Sequence, residues 1–180
     1  MKKIFLSLAI TASLLTVWSC NDAENPISEF TDNRMDIQLI PGTIDSNTTS
    51  GTLVIRERND GKAQIEITLQ NVLKGALHPV HLHFGDLEED GNVATFLTTL
   101  TEEDGVGRSI TLLESLDNDT AIDYANLVGF NGSIKIHFEA SGPLENAILG
   151  SANIGLNTSK NEAYLKGLKS ITICNSDFEN

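Results

Sequence analysis

Apolar and polar residues alternate along most of this chain. The run "MDIQLIP" alternates and stops at the polar break "DSNTTSG". "TLVIRER" alternates again and ends at "NDGK", a turn built on Asp60 and Gly61. "AQIEITLQNV" follows, with Ala63, Ile65, Ile67 and Leu69 on one face. A period of two marks a strand with one buried face, and two such runs around a short glycine turn predict a hairpin. Further short runs follow: "HPVHLHF", "ATFLTTLT", "RSITLLESL", "SIKIHFEA", "AILGSANIGL" and "SITIC". Strands at this spacing predict an all-β fold, an antiparallel sandwich or barrel. Helical periodicity is scarce. Residues 122–130 predict one helical turn, or a loop that packs Tyr124 and Phe130 inward. Residues 159–170 are the best helix candidate, with Ala163, Leu165 and Leu168 as a partial apolar stripe.

The first twenty residues follow a different rule. "MKKIFLSLAITASLLTVWSC" begins with two lysines, continues apolar and closes on small residues and a cysteine. That is the pattern of an export signal. Its end, "LLTVWSC", resembles a lipobox, in which Cys20 takes the lipid. The apolar stretch is short for a membrane span, and polar "NDAEN" follows at once. The expected organisation is a lipoprotein signal peptide over 1–19, a lipidated Cys20 and flexible tether over 20–34, and one β-domain over 35–176. The implied location is the cell envelope, with the domain held to the outer membrane or cell surface by lipid.

Charge narrows the partners. The chain carries 12 basic and 25 acidic residues. Losing Lys2 and Lys3 with the signal leaves a net charge of −15. Nucleic acid is excluded as an expected partner, because phosphate binding needs a basic surface. With Cys20 taken by lipid, Cys174 is the single remaining cysteine, and its setting "ITICNSDF" reads as a buried strand thiol. Asp86, Glu88, Glu89 and Asp90 read as a solvated acidic turn.

Three of the four histidines fall within "HPVHLHFGD". On a strand His81 and His83 project to the same side, so they form a chelating pair. Neutral imidazole suits copper and zinc. His137 lies in the alternating run "SIKIHFE"; if that strand neighbours the first, a three-histidine face results. His78 precedes Pro79, which favours extended backbone, and suits either a fourth ligand or a structural hydrogen bond. The competing reading is a set of solvated histidines on a polar sheet face.

Here the chain resembles the copper/zinc superoxide dismutase family, whose pattern runs approximately H-G-F-H-V-H-x-F-G-D. His78, His81, His83, Phe84, Gly85 and Asp86 carry the likeness, with one residue fewer before the Phe-Gly-Asp end. "NGSIKIHFEASG" resembles the strand that supplies the family's last copper ligand, and "AILGSANIGL" its closing glycine-rich strand. The CHRD domains are the second family that it resembles. The resemblance implies a Greek-key β-barrel of about eight antiparallel strands. It implies one copper ion on His81, His83 and His137, with His78 structural. Three family features are missing. The loop "DLEEDGNVATF" has no histidine to bridge two metals or bind zinc, so zinc is not expected. "SGPLENAILG" has no arginine to guide an anion, and the cysteines of the family disulfide are missing. The resulting expectation is a copper-binding, dismutase-like lipoprotein. A weak copper-only dismutase and a metal-free CHRD-like surface module stay open beside it.

Overall fold

In β4 (Ala63–Gln70) every second residue is buried: Ala63, Ile65, Ile67 and Leu69. This is the face that the alternation predicts. The computed structural model describes residues 28–89 and 91–174. The signal segment, Cys20 and the tether up to residue 27 lie outside the described residues, as do residues 175–176 of the expected domain. β4 pairs with β3 (Ser50–Arg58) as the predicted hairpin, with Ile65 opposite Ile55 and Ile67 opposite Leu53. Its turn places Gly61 at φ +82°, a conformation that a residue with a Cβ rarely adopts.

The remaining strands are β1 (Phe30–Gln38), β2 (Ile40–Pro41), β5 (Leu77–Phe84), β6 (Val93–Glu103), β7 (Val106–Leu113), β8 (Asn131–His137) and β9 (Ile148–Gly155). All pair antiparallel, in the order β1-β3-β4-β7-β6-β5-β8-β9-β2. The order β4-β7-β6-β5 is a Greek key: three strands joined in succession, with β4 beside the far one. The sheet nearly closes because β1 and β2 are one strand interrupted at Leu39. Ile37 pairs with Leu53 of β3, whereas Ile40 pairs with Ser151 of β9. One segment thus stitches both margins of the sheet and covers the edges that would otherwise invite pairing. β1 begins at Phe30, so the sheet already includes residues 30–34, which the sequence assigns to the tether.

The barrel interior holds Leu53, Ile55, Ile65, Ile67, Leu69, Val80, Leu82, Leu100, Ile134, Ile136, Ala152 and Ile154, among others. β8 and β9 are buried on both faces. Their outward residues Ser133, Lys135, His137, Ser151 and Asn153 are buried too. Two segments form the cover: the loop after β5 and the chain from Thr158 to Cys174. Ile40, Leu87 and Tyr164 pack together, with Ile171 against them. Asn161 fixes this cover by strand mimicry. Its side chain accepts from Asn153 N at 2.8 Å and donates to Asn153 O at 2.9 Å, which satisfies β9's backbone there.

Two expectations change in this cover. The helix expected over 159–170 reduces to a 3-10 turn (Thr158–Lys160) and one short helix, Asn161–Leu165. Asn161 and Tyr164 are its buried residues, while Leu165 and Leu168 are exposed. The reason is the surface beneath: the polar outer face of β9 calls for an amide and a tyrosine rather than leucines. "SITIC" is also not a strand. Residues 170–174 cross the outer wall as irregular chain. The earlier helix, Tyr124–Val128, forms as one capped turn with Tyr124 buried. Phe130 is half-buried and packs against the core.

Candidate metal centre

β5 and β8 are neighbours, so the condition for a three-histidine face is met. His81 stands opposite Lys135 and His83 opposite Ser133. Val80 and Leu82 point into the core between them. His137 extends β8 two residues beyond Lys135, diagonal to His81. The ring centroids of His81 and His137 are 4.5 Å apart, and those of His81 and His83 are 5.8 Å apart. All three histidines are at most 1% exposed.

Cys174 completes the group. One donor atom from each of His81, His83, His137 and Cys174 lies within 4.8 Å of the others, and all four residues are buried. The Cys174 thiol donates to His83 Nε2 at a sulfur–nitrogen distance of 3.6 Å. A tetrahedral ion with bonds of about 2.0 Å to nitrogen and 2.3 Å to sulfur has a nitrogen–sulfur edge of about 3.5 Å. The pair is therefore already spaced for a shared ion. Three imidazoles and a thiol are borderline-to-soft donors, and this set fits copper or zinc.

The hydrogen bonds around the rings fix which nitrogens face inward. His83 Nδ1 donates to Gly91 O at 2.9 Å, and His137 Nδ1 donates to Glu145 O at 2.6 Å. A carbonyl oxygen can only accept, so each Nδ1 carries the proton and each Nε2 keeps its lone pair. Ring orientation set by a backbone carbonyl is the usual outer support of a metal-binding histidine. Gly91 reaches His83 because it has no side chain: a Cβ there would meet Phe84 O at 1.8 Å.

Burial also favours the neutral form of His81 and His137. It pushes His81 down to about 3, and the nearby His137 and His83 rings act in the same direction. His137 is lowered by burial as well, against the opposing bond to Glu145 and with Lys135 adding to the lowering. A neutral imidazole has the lone pair that a metal needs. Phe96 meets His81 edge-on at 4.7 Å and walls one side of the group.

His78 lies outside the four-donor group. It is buried, and its Nδ1 donates to His137 O at 3.0 Å, so it braces the β8 backbone at the next histidine. Burial lowers it too. In the acidic turn Asp86 and Glu88 have structural partners, Glu88 and Glu89 are exposed, and Asp90 lies outside the described residues. Asp86 is buried and ion-paired to Lys160, and Glu88 pairs with Lys169, so the turn is clamped to the covering segment.

Cys174 was not identifiable as a donor from local sequence. The signal for it is numerical: with Cys20 set aside, one thiol and three clustered histidines make a four-donor set. Lys135 could have been placed, because a period of two puts Ser133, Lys135 and His137 on one face. Comparison with protein-family models and with curated proteins returns no match to this chain.

Proposed function

We propose that this protein holds one copper ion in a buried centre made by His81, His83, His137 and Cys174. The observation that carries the reading is the convergence of four soft-to-borderline donors, all buried, within 4.8 Å. Copper stands highest among divalent ions at nitrogen and sulfur sites, and a thiolate also favours the monovalent ion. Copper bound here would supply one-electron chemistry, and the residues would hold it in a dry, nearly closed set. Superoxide turnover needs a position on the metal for the anion. Cys174 fills a fourth position, which favours capture, storage or transfer over dismutation. The export signal and lipobox pattern ending at Cys20 support an envelope protein anchored to a membrane by lipid. The tetrahedral nitrogen–sulfur edge favours a second reading, a structural zinc ion in the same donors.

The test is metal titration of the purified protein with Cu(I), Cu(II) and Zn(II). The expected result is one tight copper per chain. The Cu(II) form should show imidazole nitrogen couplings in electron spin resonance and a visible sulfur-to-copper absorption. Cys174→Ser should remove the absorption but keep nitrogen couplings, and His81→Ala should weaken binding. Zinc winning a direct competition with both copper states would move the assignment to the second reading. The absence of any stoichiometric site would overturn both.

A further inference from the structure

Cys174 reaches the imidazoles from irregular chain, so something other than a strand ladder must place it. Thr172, two residues earlier, is held three ways. Its N–H donates to Leu87 O at 2.8 Å, and its Oγ1 donates to Glu88 O at 2.7 Å. Its own carbonyl accepts from Lys135 Nζ at 2.9 Å. The first two bonds tie the strap to a loop. The third is the one that ties it to the barrel wall, on the strand that carries His137 and directly opposite His81.

Lys135 is an unusual residue for that position. Its side chain is among the largest fully buried ones, and the residue is 1% exposed. Burying an ammonium is costly, and an apolar chain of the same length would fill the space without that cost. The ammonium here does what a methyl group cannot: it donates a charge-assisted bond to a carbonyl two residues from the sulfur.

We propose that Lys135 is the positioning residue of the metal centre, anchoring the strap through Thr172 O so that Cys174 sits over the three imidazoles. This inference rests on the metal-site reading for its consequence but not for its geometry. Lys135 sets the coordination: with it the centre has three nitrogens and a sulfur, and without it three nitrogens.

The test uses Lys135→Met, which keeps length and bulk and removes the donor, in the otherwise intact protein. Lys135→Gln, too short to reach Thr172 O, serves as a second variant if methionine disturbs the barrel. In the metal-free protein, a thiol reagent should modify Cys174 at least tenfold faster in the variant than in the parent, with circular dichroism unchanged. In the Cu(II) form, the variant should keep its imidazole couplings and lose the visible sulfur-to-copper absorption. Equal thiol protection in a folded variant overturns the proposal, as does an unaltered absorption. A parent that binds no copper removes the metal reading alone, because the thiol rates still decide the role of Lys135.

Discussion

At the residue scale, the histidines link metal readiness to stability. An unfolded histidine titrates near 6.5, whereas folded His81 is pushed down to about 3. Above 6.5 neither state of His81 binds a proton, and the contribution of the neutral ring is complete. Between those values only the unfolded chain takes up the proton, so stability falls as the pH drops, and the loss levels off below about 3. By pH 5 this one ring should cost the metal-free protein ~2 kcal/mol. Urea unfolding at pH 7.5 and pH 5 measures it, and a flat profile would contradict buried neutral histidines. A neutral imidazole is also the form that a metal needs, so acid should expel an ion held at His81.

At the element scale, the centre depends on what the loops bring to the strands. Gly91→Ala cannot keep its backbone path, since the added Cβ would collide with Phe84 O. The carbonyl that orients His83 would then move. Loss of such support typically lowers metal affinity 10–100-fold. A chelator competition on the variant should show a drop of that size with the barrel intact by circular dichroism. Strands and loops also differ in how legible they are in sequence. The face Ala63, Ile65, Ile67 and Leu69 could be read directly, because a half-buried strand writes its burial every second residue. His81 and His83 were readable because residues two apart on a strand face one side, and His137 because it lies in another alternating run. The segment 159–174 was not, because it packs on a polar surface and no apolar period records that contact. Its buried residues include an asparagine, a tyrosine and a cysteine, and its exposed ones include Leu165 and Leu168. Cys174 lies 91 residues from His83, and only the folded barrel brings them together.

At the scale of the whole molecule, a bound ion and the fold stabilise one another. An ion that binds only the folded chain adds about 2.7 kcal/mol at a free concentration one hundred times its dissociation constant. For a domain of this size each kcal/mol raises Tm by roughly 2–4 °C. Copper loading should therefore raise Tm by roughly 5–10 °C, and a chelator should reverse it; scanning calorimetry tests both. The core sets the comparison. Leu53 is fully enclosed, and Leu53→Ala should cost about 2–5 kcal/mol, as much as the metal returns.

The strap that closes the centre also bears on time as well as on equilibrium. Its donors come from two neighbouring strands and from irregular chain laid over them, so the sulfur can dock only after the wall beneath it exists. Contacts that form after the rate-limiting step leave the folding rate alone and slow unfolding instead. The expected signature of metal in stopped-flow experiments is an unchanged refolding limb and a lowered unfolding limb. The ion would then act as a latch on the finished barrel, lengthening the life of each folded molecule without hastening its birth.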